Sequence, residues 1–348
     1  MKNKSILIIR VCFFSEKAGI LFEKLKSSLP EIMWQPLEDK KNLSGWTKDA
    51  FEKSLPLLFI SAAGIATRTI APFVKDKFAD SPVLVMDEAG KFVIPVLSGH
   101  LGNANEIAGI ISNSINAQAV ITTGTDVNDK FSIDNFAKLN GFRITERSGI
   151  KKVSAEILKG RKISVYVEDG IEIKDKNIPE EIILHENMQK KIDVAITVHE
   201  VPDKSGCLIN LVPKKYCVGM GCRKGKTFKE LKSFAENIFS KKLNTVLKNE
   251  IRSLSSINIK QNETGLLELA HNLHVPFMTF TAEELMKAEG DFSESEFVKE
   301  KTGTSNVCER AAVLSAGQDG KLIEKKIAGC GMTIAIAERK PSIEIWRQ

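Results

Sequence analysis

The chain has 348 residues, of which 43% are hydrophobic and 27% are charged, and its formal net charge is +6. The six cysteines are scattered without a Cys-x-x-Cys pair, so the sequence favours neither a zinc ribbon nor a disulfide framework. Dispersed lysines and only two tyrosines argue against a nucleic-acid partner, and no apolar run is long enough to span a bilayer. We therefore expect a cytoplasmic globular protein with no membrane partner.

Residues 1–130 are predicted to form an N-terminal α/β domain. Arg10 interrupts the first apolar run, which favours an initial strand over a signal peptide. Predicted strands cover Ser5–Val11, Leu57–Ile60, Val83–Met86, Phe92–Leu97 and Ala119–Thr122, and predicted helices cover Gly19–Ser28, Ala66–Phe73 and Glu106–Asn113. Short apolar strands that alternate with helices predict mostly parallel sheets covered by helices.

The rest of the chain divides into two further predicted domains. Residues 131–213 are lysine-rich, have weaker patterns and are typical of a smaller middle, bridging domain. Residues 214–348 return to α/β alternation and are predicted to form a C-terminal α/β domain. Its predicted elements are strands at Tyr216–Gly219, Pro276–Phe280 and Lys326–Ile336 and helices at Phe228–Phe239, Leu266–Asn272, Ala282–Lys287 and Val307–Leu314.

Three stretches of small and polar residues follow predicted strands of the N-terminal domain. They are SAAGIATR (61–68), VLSGHLGNANEIAG (96–109) and ITTGTDVND (121–129). Ligands of parallel α/β sheets bind beyond the carboxyl ends of the strands, so the three stretches together predict a binding crevice. Glycine lets the backbone approach a ligand, and the Arg68 guanidinium can hold a carboxylate. Each stretch alone is equally typical of an ordinary turn.

His100 is the most informative side chain of the second stretch. An imidazole suits proton transfer near neutral pH, and here it lies among glycines and amides at the start of a helix. The alternative is a histidine that only bonds the backbone of a turn. Asn103 or Asn105 also has a structural alternative, as the N-cap of the helix.

The third region carries weaker motifs. VGMGCRKGKT (218–227) fails the Walker spacing, with five residues from Gly219 or three from Gly221 before the Gly-Lys pair, which disfavours NTP hydrolysis. It remains a glycine-rich, basic turn suited to an anion. Glu309 is either a general acid/base or a first-turn acid that complements the helix dipole. The histidines of AHNLHVP (270–276) lack a partner at ligand spacing, so we expect a helix end and no metal site.

Long segments of the chain resemble one family. GIATRTIAPFVKDKFADSPVLVMDEAGKFVIPVLSGHLGNANEIA (64–108) resembles the N-terminal part of the cobalt-precorrin-5A hydrolase (CbiG) family. YCVGMGCRKGK, NETGLLELAHNLHVPFMTFTAEEL and GTSNVCERAAVL resemble its C-terminal domain, and the weakly patterned middle lies where the family has a variable bridging domain. One departure is visible: the family commonly has a Gly-Gly pair where this chain has Gly102-Asn103.

The resemblance implies an enzyme of the anaerobic cobalamin pathway that needs no cofactor of its own, because the cobalt belongs to the substrate. Its substrate is an anionic cobalt-corrinoid with a lactone on the ring A acetate; the enzyme opens the lactone and expels acetaldehyde. We hypothesise that His100 is the catalytic acid/base, with Glu309 as a secondary candidate, and that Ser98, Asn103 and the glycine amides are oxyanion donors. Residues expected to contact the substrate, in particular its acetate and propionate groups, are Gly64, Arg68, Gly99, Gly102, Asn105, Thr123, Gly124, Gly221, Arg223 and Lys226.

Two other functions are compatible with the same residues. A corrinoid-binding or delivery protein without chemistry would use the same basic and glycine-rich turns but would release no acetaldehyde. A nucleotide-dependent enzyme rests only on residues 219–226 and predicts saturable binding of ATP or NAD. The sequence leaves open a homodimer, and it does not tell whether the site lies within the N-terminal domain or in a cleft between domains.

Overall fold

A computed structural model describes residues 6–76, 79–188, 191–201, 206–296, 300 and 302–347. The predicted fold class is confirmed, because mostly parallel sheets alternate with helices. The chain forms two compact units: Met1–Thr122 with Gly225–Leu231 and Gln261–Phe277, and Thr123–Lys224 with Lys232–Lys260 and Met278–Gln348. The second unit therefore contains the predicted middle domain and most of the predicted C-terminal domain.

The first unit contains a six-stranded sheet in the order β2-β1-β3-β4-β5-β6. All neighbouring strands are parallel except β4 and β5, which are antiparallel. The elements are β1 (Ile8–Phe13), α1 (Glu16–Ser28), β2 (Met33–Pro36), α2 (Leu43–Lys53), β3 (Leu57–Ile60), α3 (Ala63–Ile70), β4 (Val83–Met86), β5 (Phe92–Leu97), α4 (Ala104–Ile115) and β6 (Gln118–Ala119).

Burial explains why the sequence specifies this sheet. Strands β3 and β4 are buried at every position, as continuous apolar runs covered on both faces should be. On one face, Phe22 and Leu25 of α1 share a core with Ile107 and Ile111 of α4. Helix α1 begins where the Ser15 hydroxyl accepts a hydrogen bond from the Ala18 N–H, an N-cap that fixes its start.

The second unit contains two five-stranded sheets, ordered β10-β8-β11-β12-β7 and β15-β14-β13-β17-β16, and a small β18-β9 pair. Its strands are β7 (Phe142–Ile144), β8 (Ile163–Val167), β9 (Glu172–Ile173), β10 (Ile182–His185), β11 (Val194–Ile196), β12 (Ile209–Pro213), β13 (Tyr216–Cys222), β14 (Ile251–Ile257), β15 (Phe277–Phe280), β16 (Lys321–Gly329), β17 (Met332–Glu338) and β18 (Ser342–Ile343). The helices from residue 124 onward are α5 (Gly124–Val127), α6 (Ile133–Asn140), α7 (Arg147–Leu158), α8 (Phe228–Leu243), α9 (Leu247–Glu250), α10 (Thr264–Leu273), α11 (Ala282–Met286) and α12 (Cys308–Ala316), of which α10 and the start of α8 belong to the first unit.

Several predicted bounds need correction. The predicted strand Lys326–Ile336 is two antiparallel strands, β16 and β17, because Cys330 and Gly331 both have positive φ and form a tight hairpin turn. The predicted strand Ala119–Thr122 is only the two-residue β6. Ser5, the start of the first predicted strand, lies outside the described residues. Within the described part of the chain, no helix combines the length and the apolar character needed to cross a bilayer.

Candidate functional site

The turn between β5 and α4 carries His100, and it is bounded by two residues in an unusual backbone conformation. Ser98 has φ +56° and Asn103 has φ +69°, the left-handed region that side-chain-bearing residues seldom adopt. Such conformations cost about 1 kcal/mol or more each and persist where the surrounding structure enforces them, often at functional sites. The half-buried His100 therefore lies in a backbone that is held against its local preference.

Backbone hydrogen bonds close this turn on itself. The Ser98 carbonyl accepts from the Gly102 N–H at 3.1 Å and from the Ala104 N–H at 3.2 Å, and the Gly99 carbonyl accepts from the Asn105 N–H at 3.1 Å. Gly102 has no room for a side chain, since an added Cβ would lie 2.6 Å from the Ser98 Cβ and 2.9 Å from the Pro82 Cγ. The glycine therefore lets the turn fold tightly and fixes where His100 is presented.

These bonds correct part of the oxyanion-donor hypothesis. The Ser98 hydroxyl donates to the Asp80 carbonyl at 2.7 Å, and the Gly102 N–H is occupied by Ser98, so both hold the turn in place. Of the two glycine amides, only that of Gly99 lacks a backbone acceptor among the described residues. Asp80 itself is buried, and its carboxylate accepts from the Lys75 N–H at 2.8 Å. Asp80 had no sequence signal of a positioning role, because nothing in its neighbourhood is periodic or motif-like.

The two asparagines of the turn have different positions. Asn103 is the N-cap residue of α4, as the structural alternative for Asn103 or Asn105 predicted, but its side chain makes no capping hydrogen bond. The Asn105 side-chain amide packs on Gly99, where an added Cβ would lie 2.8 Å from its Oδ1. Each of the two asparagines, like His100, has a further interaction partner. Asn103 thus has a side chain that the helix start does not use.

The direction of β5 overturns the prediction of one crevice for the first two stretches. The Ser61 N–H donates to the Met86 carbonyl at 3.0 Å, so the turn after β3 lies where β4 ends. Because β5 is antiparallel to β4, Leu97 pairs with Val83, and the His100 turn lies where β4 begins. The four residues of β4 separate these edges by roughly 10 Å. Gly64 and Arg68 are therefore on the opposite edge of the sheet from His100.

Arg68 nevertheless remains a candidate anion-binding residue at its own edge. Its exposed guanidinium folds back along α3, and an added Cβ on Gly64 would lie 3.5 Å from the two terminal nitrogens. Within the described ranges this guanidinium forms no hydrogen bond or ion pair. Arg68 thus places a positive charge beside the start of α3, at the opposite edge of the sheet from His100.

Four other predicted contact residues lie in the second unit. Thr123 and Gly124 begin it, and α5 after them has only four residues. Gly221 lies within β13, paired with Thr333 of β17, rather than in a loop as predicted. Arg223 is exposed, and its N–H donates to the Gly331 carbonyl at 2.9 Å. Their contact with substrate stays a prediction.

The glycine-rich turn before α8 is occupied by the chain's own carboxylates. The Gly225 N–H donates to the Glu263 Oε1 at 2.7 Å, where an anionic ligand would otherwise bind. Lys226 forms an ion pair with Glu230 at 2.6 Å, and Glu230 also accepts from the N–H and hydroxyl of Thr227 in a capping box at the start of α8. The expectation of an anion site with Lys226 as ligand is therefore not supported by this geometry.

Glu309 is a buried structural carboxylate. It accepts hydrogen bonds from the Ser293 N–H and hydroxyl, both at 2.8 Å, and from the Lys326 N–H at 2.7 Å. Burial alone raises the pKa of Glu309, but the Lys326 and Ser293 hydrogen bonds, with help from Asn306, outweigh it, and the pKa is lowered. An ionised carboxylate with both oxygens engaged connects α12 to two neighbouring segments, which argues against the acid/base role.

The histidines near residue 270 and the cysteines have structural positions. His274 ends α10 with φ +52°, as the helix-end prediction stated. The Nε2 atom of His271 lies 3.5 Å from the Ile8 N–H, and burial lowers the pKa of His271 to about 4.

Cys12, Cys217 and Cys308 are buried, and burial raises the pKa of each thiol. In the described residues no group of three or more His, Cys, Asp or Glu side chains could hold a metal ion.

Family models cover most of the chain. The model described as "Cobalamin synthesis G N-terminal" matches residues 45–126, "Cobalamin biosynthesis central region" matches residues 131–213, and "Cobalamin synthesis G C-terminus" matches residues 216–337. The His100 turn falls within the first of these matches. Glu309 and the turn before α8 fall within the last.

Curated relatives extend the similarity over nearly the whole chain. A protein named cobalt-precorrin-5A hydrolase from Salmonella typhimurium is 33% identical, covering 96% of this chain and 93% of that protein. A protein of the same name from Priestia megaterium is 32% identical over 82% of this chain and 79% of its own length. A shorter match, to a protein named CobE from a Sinorhizobium species, is 29% identical over 34% of this chain and 77% of that protein.

Proposed function

Because the chain belongs to the cobalamin synthesis G (CbiG) family, we propose that it is a cobalt-precorrin-5A hydrolase of cobalamin biosynthesis. The reaction opens the ring A lactone of cobalt-precorrin-5A and releases acetaldehyde to give cobalt-precorrin-5B. Two relatives that carry this enzyme name and align over most of the chain support the proposal. The substrate is an anionic cobalt-corrinoid, and its cobalt is part of the substrate.

The His100 turn is the observation that carries the catalytic assignment. The backbone is fixed on both sides of the imidazole. Ser98 and Asn103 have positive φ, Gly102 has no room for a side chain, and the Ser98 hydroxyl donates to the Asp80 carbonyl. A preorganised base loses little entropy when it aligns with its substrate. The alternative, a turn histidine that only bonds the backbone, predicts wild-type turnover when His100 is replaced.

In the first step, water adds to the lactone carbonyl. His100 takes a proton from the water, the oxygen attacks the carbonyl carbon, and negative charge develops on the carbonyl oxygen. We assign the stabilisation of this oxyanion to the Gly99 N–H and the Asn103 side chain. The acyl C–O bond then breaks, and the leaving oxygen regains a proton, which yields a carboxylate and a hydroxyl.

In the second step, the carbon–carbon bond to the macrocycle breaks. A base removes the proton of the new hydroxyl, the C–O bond becomes a carbonyl, and the bonding electron pair moves into the conjugated ring. Acetaldehyde leaves, and the net reaction consumes one water per lactone. His100 in its neutral form is the base that this turn supplies. Since Glu309 is ionised and fully hydrogen-bonded in the second unit, we assign it no step.

Anaerobic incubation of the full chain with cobalt-precorrin-5A tests the proposal, with acetaldehyde measured by coupled reduction. We expect one acetaldehyde per lactone consumed. The variant His100→Asn should lose at least about a hundredfold in turnover, as removal of a general base does, while His185→Asn on β10 should retain wild-type turnover. Circular dichroism would establish that both variants fold.

Two results would contradict the proposal at different levels. Corrinoid binding without any acetaldehyde would indicate a binding or delivery protein instead of an enzyme. Wild-type turnover by a folded His100→Asn protein would leave the enzyme assignment intact but remove His100 from the chemistry.

A further inference from the structure

Strand β5 carries a row of partly exposed apolar side chains that leads to the His100 turn. Phe92 is 43% exposed and Val96 is 39% exposed, and Ile94 between them is half-buried. Successive side chains of a strand alternate between the two faces of a sheet, so these three residues share one face. We call them the β5 stripe. Contiguous exposed apolar side chains often mark a binding surface, and the mechanism above does not use them.

The stripe lies on the face of the sheet that carries α3. The other face is identified by its core, in which Val93 of β5 packs with Leu84 and Met86 of β4 and with helices α1 and α4. Phe59 of β3 points away from that core, and the Trp46 ring of α2 packs edge-on against it at a centroid distance of 6.4 Å. Helix α3 contacts α2 and β4. Helices α2 and α3 and the β5 stripe therefore share one face.

The stripe runs from one edge of the sheet to the other. Because β5 is antiparallel to β4, its first residue lies where β4 ends, which is the edge at which Arg68 lies. Its last residues lead into the turn that presents His100. From Phe92 to Val96 the strand spans roughly 13 Å. The stripe thus connects, along a single face, two candidate residues that lie at opposite edges.

The pairing of β5 with β4 is irregular where the stripe adjoins the turn. Pro95 pairs with Leu84 and Leu97 pairs with Val83, so Val96 is an extra residue without a partner on β4. Such a bulge bends a strand and redirects its side chains, and bulges are frequent beside active sites. Here Val83 is buried while Val96 is exposed immediately before the turn.

The groups at the two ends of the stripe restrict the kind of ligand that fits it. The Arg68 guanidinium, exposed beside Gly64, forms no hydrogen bond or ion pair within the described ranges. A guanidinium binds carboxylates in a bidentate manner, and an imidazole can act as a base near neutral pH. A flat apolar ligand bordered by carboxylates is complementary to a surface with a cation at one end and a base at the other.

We propose that the β5 stripe binds the face of a flat conjugated macrocycle with carboxylate side groups, which Arg68 holds at one end and which reaches His100 at the other. The inference rests on the proposed function, because it places the substrate of that reaction on a specific surface. Apolar contact along the stripe supplies affinity, and the guanidinium sets the orientation of the ring. The reacting margin of the ring then lies at the His100 end.

Anaerobic absorbance titration of the His100→Asn protein with cobalt-precorrin-5A tests the proposal, because binding is then measured without turnover. In this background, Val96→Asp and Phe92→Ser should each raise the Kd at least about fivefold, since apolar contact with the ring is lost. Ile110→Asp is the matched control, because Ile110 is 37% exposed on α4, at the opposite face, and its replacement should leave the Kd unchanged.

The cationic end of the surface has its own variant. Arg68→Gln in the same background should also raise the Kd at least about fivefold, because the charge-assisted hydrogen bonds to a carboxylate are lost. Lys24→Gln, an exposed site on α1, is the charge-matched control and should bind as the parent protein does. Unchanged affinity in Arg68→Gln, or in both stripe variants, would overturn the proposal.

The outcomes separate this proposal from the proposed function. Acetaldehyde release by the wild type, together with unchanged affinity in both stripe variants, would remove the stripe and leave the enzyme assignment intact. Absence of acetaldehyde together with the expected affinities would remove the enzyme assignment and leave the binding surface. If Val96→Asp fails to fold by circular dichroism, Phe92→Ser decides. A wild-type dimer that both stripe variants convert to monomers in sedimentation would overturn the proposal, because a second copy would then cover the stripe.

Discussion

At the scale of single residues, hydrogen bonds identify side chains that hold the backbone in place. Ser98 and Glu309 are both residue types that sequence reasoning associates with catalysis, but each is fully engaged with the backbone of its own unit. His100 and Asn103 lie in the same turn as Ser98, where the Asn103 N–H donates to the His100 carbonyl at 3.2 Å. A sequence gives the residue type and its spacing, whereas the state of its donors and acceptors depends on segments distant in the chain.

Glu309 permits a direct test of this distinction. In Glu309→Gln, one carboxylate oxygen becomes an NH₂ group that faces the N–H donors of Ser293 and Lys326. We expect the free energy of unfolding to fall by about 2–4 kcal/mol at pH 7, because charge-assisted hydrogen bonds are lost and a donor is left unpaired. Turnover of the folded variant per molecule should remain near that of the wild type.

The pH dependence follows from the lowered pKa of Glu309. A carboxylate whose pKa is lower in the folded state stabilises the fold above its unfolded pKa, and this contribution disappears as the pH falls through the folded pKa. Urea unfolding should therefore show a large difference between wild type and Glu309→Gln at pH 7, and this difference should decrease as the pH falls below the ordinary glutamate pKa of about 4.3. Glu283→Gln, an exposed site on α11, is the control; a collapse of turnover in a stable Glu309→Gln protein would restore its catalytic role.

At the scale of elements, the length of one loop decides which residues can share a site. Asp87–Lys91 joins β4 to β5, and the Asp87 Oδ1 accepts from the N–H groups of Lys91 and Phe92 at 2.9 and 2.7 Å. Five residues suffice for an antiparallel hairpin but not for the crossover that parallel strands require. The direction of β5, and with it the separation of His100 from Arg68, was therefore readable from the sequence, although the parallel pattern of the earlier strands concealed it.

Strand bounds were predictable where an apolar run is bounded by turn residues. Leu57–Ile60, Val83–Met86 and Phe92–Leu97 coincide with β3, β4 and β5, since apolar runs between turn residues identify strands directly. The interior strand β14 (Ile251–Ile257) was missed because it contains three serines. The Ser255 and Ser256 hydroxyls donate to carbonyls of β13 at 3.1 and 2.6 Å, a compensation that exists only after the strands have paired.

The tightness of the His100 turn is testable through its glycine. Gly102→Ala should cost about 1–3 kcal/mol of stability, because the new methyl group would collide with Ser98 and Pro82. Displacement of the imidazole should also lower turnover, by about tenfold or more. Gly109→Ala, in open space on α4, should be neutral or slightly stabilising. If chemical denaturation and acetaldehyde assays gave the same result for the two variants, the turn would not be the constrained element described above.

At the scale of the whole molecule, the three family matches and the two compact units divide the chain differently. The segment after residue 337 lies beyond the C-terminal family match, yet it packs on the region of the central match. Strand β18 pairs with β9, and Trp346 stacks on Phe136 with ring centroids 5.0 Å apart. The sequence did not reveal this arrangement, because a strand of two residues and a lone tryptophan carry no periodic signal.

The last residues of the chain should therefore control the stability of the central region. Trp346 is only 1% exposed, and its Nε1 and N–H donate to the backbone carbonyl and the carboxylate of Asp175, each at 2.9 Å. Trp346→Ala should lower the free energy of unfolding of the second unit by about 3–5 kcal/mol, as loss of a buried aromatic ring does. Hydrogen exchange should accelerate in β8–β12, in the same unit, and stay unchanged in β3 and β4 of the first unit.

Lys340→Ala is the matched control, since its ammonium is exposed and its 3.5 Å pair with Asp319 lies in solvent. Exchange that accelerates equally in both units would mean that they unfold as one cooperative body. Unchanged exchange in β8–β12 would mean that the central region is stable without the tail. If hydrogen exchange accelerates only in the second unit, as we expect, Trp346 is an integral part of the core of the central region.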